Sequence, residues 1–288
     1  MTLVVGSSVD RSDDAALQLA GVLARTAGED VVVATVTARG FPDPRADREY
    51  RQWVAGVVRA GQDAAVATLV AAGVDAVRTV TVEATSVPAG LVSAVREAQG
   101  SLLVLGPAAT APAGRFQAGS VTEHLLHSSP VPLALAPAPC PPADRLTRLS
   151  CAWAGTDRSR AALDWTRRAA AAWDVPVRLL TFAPEREPML PSETGLHVER
   201  LVSGTWAGQA QQELDALAAA WTGPGAAPET LVAGGRGWAG AVAAVPWRPG
   251  DLLVLGSSRL GPLARVFLGS TATKIVRSAP VPVVLVPA

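Results

Sequence analysis

The 288 residues are enough for about two ordinary domains, and with 49% hydrophobic and 17% charged residues the chain can bury a core in each. Its 25 basic residues balance 25 acidic ones, which excludes the overall field that would hold a nucleic acid or an anionic membrane. No basic segment precedes the apolar N-terminal run, and no apolar stretch is seen near the roughly 20 residues that span a bilayer. We therefore expect a soluble, cytoplasmic protein with no nucleic-acid or membrane partner.

Short apolar runs alternate along the chain with segments of helical period, which is typical of a parallel sheet with crossover helices. In the first half, strands are predicted at residues 3–5, 31–36, 77–82, 102–105 and 131–135, with helices beginning near Ser12, Asp47, Val87 and Gly119. In the second half, strands are predicted at residues 149–153, 177–182, 230–233, 252–255 and 281–286, with a long helix over 198–221. The strands are apolar throughout, as expected when helices cover both faces of a sheet.

These elements form a repeat. The segment Leu-Leu-Val-Leu-Gly that ends at Gly106 recurs 150 residues later with its end at Gly256, and Gly119-Ser120 recurs as Gly269-Ser270 at the same spacing. The sequence therefore predicts two tandem, doubly wound, five-stranded parallel sheets, each with a ligand crevice at the carboxyl ends of its strands. A Pro-x-Pro pair precedes each final strand and suggests that this strand is a sheet edge.

A proline-rich stretch separates the two copies, because proline lacks an amide donor and disfavours both helix and central strand. We assign residues 1–138 to the first domain, 139–147 to a short, stiff linker and 148–288 to the second domain. Two cysteines, Cys140 and Cys151, flank this region. Such sparse usage is typical of a reducing compartment, and a disulfide between them is left open.

The spacing of glycines makes the pattern specific. Gly106 and Gly256 end the fourth strands, and Gly119-Ser120 and Gly269-Ser270 open the next helix thirteen residues on. This resembles the universal stress protein family, whose ATP-binding members carry Gly-x-x-Gly, nine residues, then Gly-Ser or Gly-Thr at this place. Glycines let backbone amides approach a phosphate, and a helix N-terminus binds its oxygens. The resemblance covers nearly the whole chain.

The resemblance implies a Rossmann-like, adenine nucleotide alpha hydrolase-like fold, with the two copies paired through their last strands. A homodimer is left open. It also implies ATP as a ligand, with its phosphates at the helix-opening residues and its adenine near Val36 or Phe182. The residues implied for binding are Gly106, Gly119, Ser120 and Val121 in the first copy and Gly256, Gly269, Ser270 and Thr271 in the second.

Four positions depart from the family pattern or leave two interpretations open. Ala109 and Arg259 replace the second glycine, and Arg259 either pairs with a phosphate or is a solvated loop residue. The aspartate that the family places after strand one is Ala154 in the second copy. In the first copy that place falls on Ser8 or, in a slipped alignment, on Asp10, which either faces the crevice or caps the first helix.

Other motifs are weaker. The glycines of residues 235–240 match Gly-x-Gly-x-x-Gly, but no acid follows at the end of the next strand, so we interpret them as a turn rather than a dinucleotide site. His124 and His127 lie three apart and are interpreted as part of a surface helix rather than a metal site. Seven of the eight tryptophans fall in the second copy, where core packing is the default explanation.

No catalytic residue is identified. The favoured function is a non-catalytic stress-response module that binds an adenine nucleotide in one or both crevices. The alternatives are an interaction protein whose crevices are empty, favoured by Ala109, Ala154 and Arg259, and a slow ATP hydrolase.

Overall fold

The computed structural model of the protein describes residues 2–8, 14–38, 44–185, 193–223, 225–257 and 269–287. The first half, copy one, runs through β1 (Thr2–Ser7), α1 (Asp14–Ala27), β2 (Asp30–Ala38), α2 (Pro44–Ala71), β3 (Val77–Ala84), α3 (Val87–Glu97), β4 (Leu102–Leu105), α4 (Ser120–Ser128) and β5 (Leu133–Leu135). The second half, copy two, runs through β6 (Arg148–Ala152), α5 (Asp157–Trp173), β7 (Val177–Glu185), α6 (Glu193–Ala219), β8 (Glu229–Arg236), α7 (Gly237–Ala243), β9 (Asp251–Gly256), α8 (Ser270–Ser278) and β10 (Val283–Val286).

The ten strands form a single sheet in the order β3-β2-β1-β4-β5-β10-β9-β6-β7-β8. Neighbours within each copy are parallel, whereas β5 and β10 pair antiparallel, with Leu135 opposite Val283 and Leu133 opposite Leu285. The predicted tandem Rossmann-like fold and the pairing of the copies through their last strands are both confirmed. The two predicted five-stranded sheets are therefore halves of one continuous sheet.

Each final strand is the edge of its own half of the sheet, as the Pro-x-Pro pairs suggest, and in the whole chain the two edges pair with each other. Pro132 and Pro282 precede these strands, and their carbonyls accept hydrogen bonds from the amides of Leu103 and Leu253 at 3.0 and 2.9 Å. These bonds extend the ladders of β4 and β9 by one residue beyond β5 and β10. Because β5 and β10 each have a neighbour on both sides, they offer no edge to a second chain.

Helices cover both faces of the sheet, which explains why its strands are apolar throughout. On one face α1, α2, α5 and α6 pack over a core that is continuous through both copies. On the other face α3, α4, α7 and α8 cover a second continuous core. The domain boundaries assigned from the sequence remain a prediction, because sheet and cores both run across them.

The linker is held against the end of α1. Arg25 donates from Nε to the carbonyl of Asp144 at 2.7 Å and from Nη2 to that of Ala143 at 3.1 Å. The hydroxyl of Thr26 accepts from the amide of Leu146 at 2.9 Å.

Both cysteines, Cys140 and Cys151, are buried free thiols, and burial raises the pKa of each to about 12.

The tryptophans of copy two pack against the cores with one exception. Trp173 is buried and meets Trp165 edge to face at 5.5 Å between ring centroids. Trp206 is 47% exposed, so the packing interpretation is wrong for that residue.

One segment of the described chain, Arg48–Ala71 in α2, is long enough to cross a membrane and contains an 18-residue window with a mean hydropathy of 1.3. This segment contains Arg59 and Asp63, so the absence of a membrane partner stays a prediction. A single such helix is weak evidence of a span, and Ala65 and Leu69 of this helix pack in the core.

Candidate functional site

Each copy has a crevice where helices leave the sheet on opposite faces. In copy one α1 follows β1 on one face and α4 follows β4 on the other, although β1 and β4 are neighbours. The same divergence occurs between β6 and β9 in copy two. In open α/β sheets such a switch point, at the carboxyl ends of the strands, is where ligands bind.

The helices that open at these crevices begin without a side-chain cap. Gly119 and Gly269 are the N-caps of α4 and α8, both with extended backbone and neither with a side chain to accept from the first turn. By contrast, Ser86 caps α3 through the amide of Ala89, and Thr156 caps α5. Within the described parts of the chain, no side chain caps α4 or α8, which leaves their first-turn amides for an anion or water to satisfy.

In copy one the predicted residues come together around an ordered loop. The loop that begins at Gly106 is closed by a hydrogen bond from the amide of Ala108 to the carbonyl of Gln117 at 2.8 Å. A Cβ built on Gly119 would lie 3.6 Å from the Cβ of Ala108, an ordinary contact. Ser120 is exposed and Val121 half-buried at the start of α4. Ala109 is exposed at the loop tip.

In copy two an arginine that the sequence did not predict enters the crevice. A Cβ built on Gly256 would lie only 2.0 Å from the carbonyl oxygen of Arg158, so the first turn of α5 lies directly on the end of β9. A Cβ built on Gly269 would lie 3.6 Å from Nη1 of Arg158. The guanidinium group therefore reaches the N-cap of α8. No local signal marked this contact, because it joins two helices on opposite faces of the sheet.

A cavity of about 840 Å³ lies between the carboxyl ends of β7 and β8 and the helix α8. It is lined by Pro184, Glu185, Arg236, Gly237, Trp238, Thr271 and Lys274. Of the predicted binding residues in copy two, Thr271 belongs to this lining. Two cations and one acid among these residues give the lining a positive balance, and its volume lies within the range of about 300–1,000 Å³ typical of small-molecule pockets.

The glycines of residues 235–240 serve the turn between β8 and α7, as interpreted from the sequence. Gly237 has φ +61°, and a Cβ on Gly235 would lie 2.5 Å from the carbonyl carbon of Gly240. Only glycine fits such an approach of strand to helix.

Two candidates from the sequence, Asp10 and Arg259, lie outside the described residues, so their roles remain predictions. Ala154 is exposed after β6 and has no polar side chain to offer a ligand. His124 and His127 are exposed on α4, where Nδ1 of His124 lies 2.9 Å from the carbonyl oxygen of Ser120.

A second charged cluster lies at the opposite, amino ends of the copy-two strands. The carboxylate of Asp251 accepts from Nε and Nη2 of Arg148 at 3.0 and 2.8 Å and lies 3.5 Å from Nη2 of Arg178, which is fully buried. The hydrogen bond to Asp251 raises the pKa of Arg148, whereas desolvation lowers the pKa of Arg178. The hydroxyl of Ser150 also accepts from Arg178 at 2.8 Å. This cluster lies at the opposite end of the strands from the crevice, and its charged groups pair with one another.

Comparison with known proteins supplies independent information. The model of the universal stress protein family matches residues 1–137 and 147–287. Universal stress proteins of Mycobacterium tuberculosis and Mycobacterium bovis are 39% identical over 300 residues, which cover 100% of this chain and 100% of each relative. A universal stress protein structure from Archaeoglobus fulgidus superposes with a TM-score of 0.60 at 15% identity, covering 98% of this chain and 97% of that one. A putative universal stress protein from Pseudomonas aeruginosa gives a TM-score of 0.54 at 12% identity, with 99% and 93% covered.

Proposed function

The chain belongs to the universal stress protein family, and on that premise we propose that it is a non-catalytic, cytoplasmic stress-response module that binds an adenine nucleotide such as ATP in one or both crevices. The observation that carries this proposal is the pair of glycine N-caps, Gly119 and Gly269. Each leaves the first-turn amides of its helix without a side-chain partner at a switch point of the sheet.

Copy two has further features that suit a nucleotide. Arg236 and Lys274 give the cavity a positive balance that suits phosphate, and the half-buried ring of Trp238 offers a flat apolar surface. The cavity also adjoins the end of β7, the strand that carries Phe182 and near which the adenine is expected.

An interaction protein with empty crevices is the second candidate. It is favoured by Ala109 and Ala154, which are exposed at positions where the family pattern has a glycine and an aspartate. A slow ATP hydrolase ranks last. It would need a group that activates water, and Glu185 is the single acid among the described residues that line the cavity.

Native mass spectrometry of the purified chain, followed by calorimetric titration with ATP, tests the proposal. A bound nucleotide would appear as added mass. Gly119→Val and Gly269→Val should each lower ATP affinity at their own site at least about tenfold, because a branched side chain blocks the approach of phosphate to the amides. A Cβ at either position meets only an ordinary contact at 3.6 Å, so both variants should fold. Absence of heat with the wild-type chain would favour the empty-crevice protein.

A further inference from the structure

The helix α2 of copy one leaves an apolar face exposed. Its 18-residue window of mean hydropathy 1.3 is only 17% buried. Trp53 is 65% exposed and Val70 is 56% exposed, and they are two of the four large apolar side chains that the described part of the chain leaves exposed. Ala65 and Leu69, on the opposite side of the helix, pack in the core. An exposed apolar face of this kind marks an interaction surface.

The exposed positions along this face follow a heptad pattern. Spacings of three and four residues alternate through them, and all six positions are exposed. We call this set the seam, and it consists of Trp53, Gly56, Ala60, Asp63, Ala67 and Val70. Alternation of three and four residues keeps one row of positions directed at a second helix, and residues 53–70 extend for about 26 Å along the helix axis.

The seam is complementary to itself when two copies of α2 run antiparallel. A two-fold axis between residues 61 and 62 relates the two helices and forms three kinds of pair, each of them twice: Trp53–Val70, Gly56–Ala67 and Ala60–Asp63. The large apolar side chains thus meet at the two ends of the seam. Small residues lie between them and let the helices approach closely.

Two charges in the middle of the face also complement each other. Arg59 and Asp63 are both exposed, and neither forms an ion pair with another described residue. In a coiled coil each seam side chain enters a hole between four residues of the facing helix. For Asp63 the hole in the antiparallel pair consists of residues 56, 59, 60 and 63. The carboxylate of Asp63 in each chain therefore lies beside the guanidinium group of Arg59 in the other.

The corresponding helix of copy two lacks this apolar face. Val70 follows the buried Leu69 in α2, whereas Asp215 follows the buried Leu214 in α6. Counted from the same leucines, two exposed alanines of α2 are exposed glutamines in α6. The fold therefore does not require an apolar surface here, and α2 has one for another reason.

A second copy of this chain suits the face better than a membrane does. Arg59 and Asp63 lie in the middle of the face, where hydrocarbon offers neither charge a partner. A second copy supplies both partners at once. An unrelated protein would not call for residues that match one another across a two-fold axis.

We propose that α2 is a homodimer interface, in which the seams of two chains pair antiparallel and Arg59 of each chain binds Asp63 of the other. This inference goes beyond the proposed function and does not depend on a nucleotide.

Sedimentation velocity of the full-length chain over a range of concentrations tests the interface, and we expect a dimer for the wild-type chain. Arg59→Glu leaves two acids in the middle of the face, and Asp63→Arg leaves two bases. Each single variant should raise the dissociation constant of the dimer at least about tenfold, because the two-fold axis puts each change into the interface twice. The double variant exchanges the two charges and should dimerise like the wild-type chain.

Mixing the two single variants gives a second test of the same contact. Neither should dimerise well alone, whereas the mixture should form a heterodimer, because each chain supplies the charges that the other lacks. Ala55→Glu is the matched control, since Ala55 is exposed on the same helix but outside the seam. It should leave the dimer unchanged.

Several outcomes would overturn the inference. A wild-type chain that stays monomeric at every concentration has no such interface. A dimer that survives both single variants forms through another surface. Weakening in both single variants without recovery in the double variant and in the mixture would mean that Arg59 and Asp63 do not meet across the interface. Flotation of the wild-type chain with phosphatidylcholine vesicles, lost in Val70→Asp, would assign the face to a membrane instead.

Discussion

The two copies differ most where their central strands begin. In copy two, Arg148 and Asp251 are paired on neighbouring strands and share their charges with the buried Arg178. Copy one has the corresponding pair Thr2 and Ser101, joined by a hydrogen bond from the amide of Ser101 to the carbonyl of Thr2 at 2.9 Å. At the position of Arg178 copy one has Val32. The same backbone thus accepts either an apolar interior or a charged one, provided that each charge is satisfied.

The copies differ again at the opposite end of the sheet. The described residues around the copy-two crevice include Arg158, Arg236 and Lys274. In copy one, the first five residues of α4 include Glu123 and His124 instead. The charges at the amino ends neutralise each other and serve stability. Those that line the cavity at the carboxyl ends have a positive balance, which is why we propose binding at that end.

The largest effect is expected at Asp251. Asp251→Ala would remove the carboxylate that Arg148 and the fully buried Arg178 share and leave only Glu229, which pairs with Arg148 at 2.8 Å. Breaking a buried pair in this way costs about 3–5 kcal/mol. The matched change in copy one, Ser101→Ala, removes a half-buried hydroxyl at 3.3 Å from a carbonyl and should cost about 1 kcal/mol or less. Urea unfolding of both variants measures the difference. Similar losses in the two copies would mean that the charged cluster is not a stabilising unit.

The sequence predicted the strands well because each is a continuous apolar run, which is a local property. It predicted their ends less well. For example, β2 continues past Val36 to Ala38 because its ladder with β3 extends to Ala84. Strand pairing of this kind depends on a neighbour that is distant in sequence.

The candidate site also has residues that the sequence could predict and one that it could not. Gly119 and Gly269 were identifiable because their spacing from Gly106 and Gly256 repeats along the chain. Arg158 was not, because nothing in its own segment distinguishes it from other arginines of α5. Its position depends on the close approach of that helix to Gly256, which only the folded chain reveals.

Gly256 provides the next test, because it sets where Arg158 lies. In Gly256→Ala the new Cβ would be 2.0 Å from a backbone carbonyl oxygen, which cannot move without shifting the start of α5. Overpacking of this kind costs about 1–3 kcal/mol. Gly269→Ala is the matched control, since its Cβ would meet Arg158 at an ordinary 3.6 Å. Thermal unfolding should separate the two variants clearly. Equal midpoints would mean that α5 does not rest on the end of β9.

The smallest effect is expected at Cys151, which occupies in copy two the position that Val5 holds in copy one. Both side chains are fully buried, so Cys151→Val exchanges groups of similar volume that the shared fold already accepts, and we expect a change under about 1.5 kcal/mol at pH 8. Burial raises the pKa of the Cys151 thiol from 9.0 to about 12. The thiol therefore contributes stability that is present below pH 9 and lost as the pH rises toward 12.

Replacing Cys151 by valine removes that loss, so the variant should gain stability relative to the wild-type chain between pH 8 and pH 10.5. Urea unfolding at both pH values measures the gain, and the comparison with wild type cancels the other groups that titrate in this range. Cys140, whose pKa burial also raises to about 12, stays in both chains and gives the same pH dependence to each. A difference between variant and wild type that does not change with pH would mean that the thiol is not held protonated by burial.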